Sequence, residues 1–281
     1  MARLLAFVST IALVVAGVNS LAANRVEAAD AAVWVDQRQV GPFVVRASFD
    51  LSRHEALLDE LPALERELRR VLALSPCREP IEVLIYGSEQ EHRDELQRRF
   101  PGVPYRRALY VKQSGHATVF AYRHEELAID VRHECTHALL HADLPMLPLW
   151  LDEGLAEYFE MPAADRAFRN PHGDALRWNM RLGLVRSVAA LESRHELADL
   201  SGRDYQFAWA WTHFLLHGPK PATEQLWAYL SAIRRGEPPG LLSARLEKSL
   251  PGTDRQLVSH FRNWDRLRTR IARTGAGDRP K

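Results

Sequence analysis

The chain has 281 residues, 46% hydrophobic and 26% charged, which is enough apolar material to bury a substantial core as one large domain or two modest ones. Its 37 basic and 36 acidic residues nearly cancel, so charge gives no case for nucleic acid or an anionic membrane as a partner. Two cysteines, Cys77 and Cys135, leave two readings open: one disulfide, or two separate buried thiols.

The N-terminus begins Met1-Ala-Arg3, continues through a largely apolar run from Leu4 to Val18, and passes through small residues to Ala28. That order predicts a secretory signal over residues 1–28, with cleavage after Ala22 or Ala28 and a secreted or periplasmic mature protein. An uncleaved anchor is the alternative, but fifteen residues are short for a membrane span. Removing residues 1–28 leaves 35 basic and 35 acidic residues. The oligomeric state stays open.

Residues 33–49 alternate apolar and polar around Gly41-Pro42 and predict a β-hairpin. Residues 52–74 carry leucines at helical spacing, with Pro62 expected to interrupt them. A buried strand is expected over 80–86, and Ser88 caps a short charged helix reaching Phe100, where Pro101-Gly-Val-Pro104 breaks it. Segments 107–112 and 117–122, separated by Gln113-Ser-Gly-His116, predict a second hairpin. From Glu125 onward the pattern is helical: 125–142, 149–160, 174–182, 188–198, 204–217, 222–235, 239–249 and 253–273, before a disordered tail over 274–281. The composition thus shifts from mixed α/β to all-α near residue 123.

His133-Glu134-Cys135-Thr136-His137 lies inside the first of these helices and reads H-E-x-x-H. On a helix, positions 133, 134 and 137 share a face. Two imidazoles one turn apart can grip a single Zn²⁺, while the carboxylate of Glu134 sits where it can take a proton from a water. Cys135 falls about 160° away from that face, pointing into the protein body. A third ligand is needed. It is available sixteen residues after His137, past a proline-rich turn, at Glu153 in Trp150-Leu-Asp-Glu-Gly-Leu-Ala-Glu-Tyr-Phe159. Glu153 can close the coordination sphere, and Glu157, one turn on, can accept the outer N–H of a ligand histidine.

These two segments resemble the gluzincins, the thermolysin-like and aminopeptidase N-like zinc peptidases, and look closest to small peptidase MA-like domains. The resemblance implies an α+β, thermolysin-like two-lobed fold, with an α/β lobe over 29–142 ending in the H-E-x-x-H helix and a helical lobe over 143–273. It makes His133, His137 and Glu153 the ligands of one Zn²⁺ per chain and Glu134 the general base. Asp204-Tyr-Gln-Phe-Ala-Trp-Ala-Trp-Thr-His213 looks like the tyrosine-bearing helix of aminopeptidase N-like enzymes, with Ala208 three residues after Tyr205, which implies Tyr205 as the oxyanion donor. Residues 117–122 are the candidate for the family's edge strand, which pairs with extended substrate, with a simple interior strand as the equal alternative. The Gly-x-Met-Glu-Asn segment that holds a substrate's free amine in aminopeptidases is absent here, which leaves endopeptidase or undefined specificity.

Other polar residues are less directive. His141 lies one turn beyond His137, with surface or lobe contact favoured over ligation. Any of His116, His172, His195, His213 and His217 could act as a second electrophile, and the sequence does not choose among them. Arg177 and Arg181 read as a solvated basic face, with a substrate carboxylate as the sharper alternative. The expected activity is zinc-dependent hydrolysis of a peptide or protein substrate. The competing readings are a catalytically weak zinc-containing binding or scaffold protein of the cell envelope, and a zinc hydrolase acting on a non-peptide amide or ester.

Overall fold

The computed structural model describes residues 12–14 and 34–269, apart from 265 and 267. The signal over 1–28, except Ala12–Val14, and the tail over 274–281 therefore lie outside the described residues. Among the described residues the architecture is α+β, with one sheet and ten α-helices, in two compact units. No helix among the described residues is long and apolar enough to cross a membrane.

The first unit holds the described residues up to Glu67 together with Pro76–Ala142. Its strands are β1 (Ala12–Val14), β2 (Asp36–Val40), β3 (Phe43–Ala47), β4 (Ile81–Tyr86), β5 (Ala108–Gln113) and β6 (His116–Tyr122), in the order β1-β5-β6-β4-β3-β2. Five of them form the body of the sheet, and the three-residue β1 lies parallel to β5 at its end. Both expected hairpins form: β2 and β3 turn at Gly41, and β5 and β6 turn at Ser114-Gly115, where positive φ angles suit a tight turn. β3 alternates buried and partly buried residues, whereas β4 is buried along almost its whole length, as its central place requires.

One expectation is corrected here. Segment 117–122 is not an edge strand: β6 pairs antiparallel with β5 and parallel with β4, Val83 lying opposite Val119. Its main-chain groups are consumed inside the sheet, so it cannot take up an extended substrate. A second correction concerns Pro62. Helix α1 (Glu55–Leu72) runs through it without a break. Proline removes one helical N–H there, but Leu58 and Leu61 before it and Leu64 and Leu68 after it are all buried, so both halves are anchored. The ring itself packs on the first hairpin: a Cβ on Gly41 would lie 3.4 Å from the Pro62 Cβ. Helix α2 (Glu89–Arg99) is capped by Ser88, which accepts from the Glu91 N–H, and its Leu96 joins Leu84, Leu109, Val111 and Phe120 in a cluster on the sheet. Helix α3 (Leu127–Asp143) follows β6.

The second unit comprises Leu68–Ser75 and residues from Asp143 onward. Its helices are α4 (Leu149–Phe159), α5 (His172–Arg181), α6 (Val188–Glu192), α7 (Gly202–His217), α8 (Lys220–Arg234), α9 (Leu242–Ser249) and α10 (Thr253–Arg262). The helix expected over 188–198 stops at Glu192. Ser193 Oγ bonds back to the Ala190 carbonyl at 2.8 Å, an alternative to continuing the helix. Of the helix expected over 253–273, α10 covers Thr253–Arg262; a turn follows at Asn263, whose side-chain amide donates to the Ser259 carbonyl at 2.8 Å, and residues 264, 266, 268 and 269 are helical.

Helix α4 packs closely against α7 at Gly154. A Cβ on Gly154 would lie 2.5 Å from the Ala208 carbonyl oxygen and 2.6 Å from Thr212 Oγ1, distances that real Cβ atoms do not show. Only glycine lets the backbones meet there. Gly154→Ala must therefore push α7 away, and an equilibrium urea titration should show a loss of ~2 kcal/mol or more; an unchanged midpoint would mean the helices are not locked at this point.

Candidate metal centre

Helix α3 is buried on every side from Val131 to Leu140, which includes Arg132, His133, Glu134, Thr136 and His137. Charged contacts from three neighbouring elements hold it. At its start, Arg107 forks onto Asp130, Nε donating to Oδ2 at 2.6 Å and Nη2 to Oδ1 at 2.7 Å, while His124 Nε2 approaches Oδ2 at 3.1 Å. Burial tends to raise the Asp130 pKa, but the hydrogen bonds from His124 and Arg107 outweigh it and hold the carboxyl below its ordinary range. The resulting negative charge sits in the first turn, where the helix dipole favours it. In the middle, Arg132 Nη1 donates to Glu60 of α1 at 2.5 Å. At the end, Lys112 Nζ of β5 donates to the His141 carbonyl at 2.6 Å, a cation placed on the terminal carbonyls.

Held this way, α3 brings His133 Nε2 and His137 Nε2 to 3.2 Å of each other, the rings crossing at 70°. Two nitrogens around one tetrahedral zinc, each ~2.05 Å from it, are separated by about 3.3 Å. The imidazole pair thus fits a single zinc ion. Glu134, between them in sequence, is fully buried. Cys135 is also fully buried, and its thiol is pushed well up, first by burial and then by the charge of Glu134. Cys77 and Cys135 are both free thiols, so the disulfide reading is set aside in favour of separate thiols, of which Cys135 is buried and Cys77 only partly so.

In the second unit, α4 is buried from Trp150 to Phe159 and carries three carboxylates, Asp152, Glu153 and Glu157, inward with it. Glu157 Oε2 accepts from His172 Nε2 at 2.9 Å. The loop before α5 closes over this pair: the Asn170 amide donates to the Glu157 carbonyl at 3.2 Å, and Asn170 Oδ1 accepts from the His172 N–H at 2.9 Å. Tyr205 is buried in the first turn of α7, beyond a capping box in which Ser201 and Asp204 exchange hydrogen bonds, and one turn before Ala208 at the α4 contact. His213, further along α7, is fully buried; Nε2 donates to the Ala167 carbonyl and Nδ1 meets His260 Nε2, both at 2.9 Å, and burial first, then His217 and His260, depress its pKa.

Among the described residues, His133 and His137 in the first unit and Glu153 in the second are buried donors that could hold a metal ion, as could His137 and His141 with Asp152. Two imidazoles and a carboxylate are a zinc donor set. The helix spacing made the α3 residues legible, but nothing in the sequence singled out His172 or Asn170. Their only sequence signal is that two hydrogen-bonding side chains flank a proline in a polar loop.

No protein-family model matches the chain, and no curated protein matches it. Eight chains of solved structures match. One is an M1 zinc metallopeptidase from Deinococcus radiodurans, at 17% identity and a TM-score of 0.42, with the match covering 82% of this chain and 50% of that one. The chain thus spans half the length of that structure.

The Glu157–His172 pair carries a pH signature. Burial opposes charge on His172, yet the hydrogen bond and charge of Glu157, with Glu160 adding to them, raise its pKa above the ordinary value. A raised folded-state pKa contributes stability that is complete below the unfolded value of about 6.5 and is lost as pH rises through the folded value. His172→Gln should therefore cost on the order of 1 kcal/mol more at pH 6 than at pH 9 relative to the parent. Denaturant midpoints at the two pH values check this, and a gap that widens toward pH 9 would contradict it.

Proposed function

We propose that the protein is an exported zinc-dependent peptidase with Zn²⁺ held by His133, His137 and Glu153. The observation that carries the reading is the 3.2 Å separation of two buried imidazole nitrogens on one helix, with a buried carboxylate next to the first of them in sequence. Zinc bound there supplies Lewis acidity and brings the pKa of water down to ~7. Glu134 then acts as general base, taking the proton of the attacking water and handing it to the leaving amine. Tyr205 donates its hydroxyl to the oxyanion of the tetrahedral intermediate. Glu157 accepts the outer N–H of a ligand histidine and so fixes its tautomer. Export follows from the basic start and apolar run of residues 1–28. The substrate class is peptide or protein, cut as an endopeptidase or with undefined specificity, since the segment that would hold a free N-terminus is missing.

Purified protein should cleave a quenched fluorescent peptide library in a chelator-sensitive way. Glu134→Gln should lose at least ~10³-fold in rate while keeping one zinc per chain, because Glu134 serves as base and not as ligand. Zinc on both proteins with cleavage by neither would favour the envelope binding protein; a parent without zinc would remove the metal reading itself.

A further inference from the structure

The Asn170-Pro171-His172 segment, which enters α5, forms a closed ring of hydrogen bonds with the end of α4. Starting from Glu157, the ring runs from its carboxylate to His172 Nε2 (2.9 Å), from the His172 backbone N–H to Asn170 Oδ1 (2.9 Å), and from the Asn170 amide back to the Glu157 carbonyl (3.2 Å). Pro171 separates the two polar residues and fixes the backbone between them. All three ring members are more than nine-tenths buried: Glu157 is 9% exposed, Asn170 7% and His172 4%. We propose that this ring is a positioning device for the metal site, with His172 as the positioning residue that sets the rotation of the Glu157 carboxylate.

The argument is geometric. A glutamate at the surface of a helix rotates about its terminal bond, and a histidine that donates to such a carboxylate is then held loosely. Here one oxygen of Glu157 is committed to His172, so the direction of the other is fixed as well. Asn170 references both partners at once, because its side chain grips the backbone of Glu157 at one end and of His172 at the other. The carboxylate is thereby fixed relative to α4, and so relative to Glu153 one turn earlier on the same helix. A purely structural purpose accounts poorly for the arrangement: a buried ion pair seldom stabilises more than an apolar pair of the same volume, whereas a fully satisfied polar ring specifies one orientation. Metal-ligating histidines characteristically donate their second N–H to a carboxylate, and loss of that outer contact weakens metal binding by 10–100-fold. His172 acts one bond further out, and this role rests on the zinc reading given above.

The test is zinc affinity at pH 8, by competition with a chromophoric chelator, on the full-length parent, His172→Ala, His172→Gln, Asn170→Ala, Glu157→Gln and the His172→Ala/Glu157→Gln double variant. Unfolding of each zinc-free protein is recorded alongside. His172→Ala is expected to weaken zinc by roughly tenfold. His172→Gln, whose amide can reach the same oxygen, should stay within about threefold of the parent, and Asn170→Ala should fall between. The double variant should be no weaker than Glu157→Gln alone, because His172 acts only through that carboxylate. A parent that binds zinc while His172→Ala and Asn170→Ala bind it equally well, whatever their unfolding midpoints, overturns the positioning role and leaves the zinc reading intact. Additive losses in the double variant also overturn it. A parent that takes up no zinc removes both. Should His172→Ala fail to fold, Asn170→Ala decides, since it loosens the ring without touching the pair.

Discussion

Keeping buried charged and polar groups partnered is the constraint from which the rest of this structure follows. Glu134 and Glu153 are fully shielded from solvent, and His133 and His137 sit beside Glu134 in the sequence on a helix with no exposed face between Val131 and Leu140. Isolated carboxylates at such depth cost several kcal/mol each. Some of the polar load on α3 is met locally: Thr136 Oγ1 donates to the Arg132 carbonyl at 2.8 Å, and Arg132 reaches Glu60. In the zinc reading proposed above, a divalent cation adds a further counterweight. Two neutral imidazoles, two carboxylates and one Zn²⁺ sum to zero charge, so the donor set proposed here, together with its general base, is electrically balanced when loaded.

A helix buried all round also loses the usual determinant of its rotation. An amphipathic helix is turned by its apolar stripe, but α3 has no stripe to turn it. The ion pairs take over that task. Arg107 and His124 fix Asp130, Glu60 fixes Arg132, and Lys112 fixes the terminal carbonyl of His141. Each contact is modest in energy, since exposed or half-exposed pairs contribute little to stability. Their value lies in direction. Each residue advances a helix by 100°, so a slip of one position would put Cys135 in the place of Glu134 and take both imidazoles off their face.

This division explains what could be read in the sequence. The H-E-x-x-H pair was legible because covalent spacing on a helix fixes it, whatever the surrounding fold. The carboxylates at 153 and 157 followed from the same period. Hairpins β2-β3 and β5-β6 were legible from alternation and turn residues. What failed depends on contacts between distant parts of the chain. The hairpin sequence names β5 as one neighbour of β6 but says nothing of β4, some thirty residues earlier, which takes its other edge. Pro62 looked like a break because local propensity predicts one, and buried leucines on both sides override it. His172 and Asn170 carry no periodicity at all, so their burial against α4 leaves no trace in the sequence pattern.

Helix α4 shows how precision arises from such contacts. At eleven residues it is too short to be stable alone, and Pro148 at its N-terminus supplies no side-chain cap. Its register comes instead from what touches it within the second unit. Gly154 admits the backbone of α7 and so sets the distance to the helix bearing Tyr205. Glu157, three residues on and therefore adjacent on the helix surface, is fixed by Asn170 and His172 from a different element. Glu153 lies next to the first contact and one turn before the second, on a stretch of backbone that neither neighbour leaves room to turn. A side chain on a short helix is then as rigid as the packing around it, and the glycine that looks like a gap in the motif is the residue through which that packing is set.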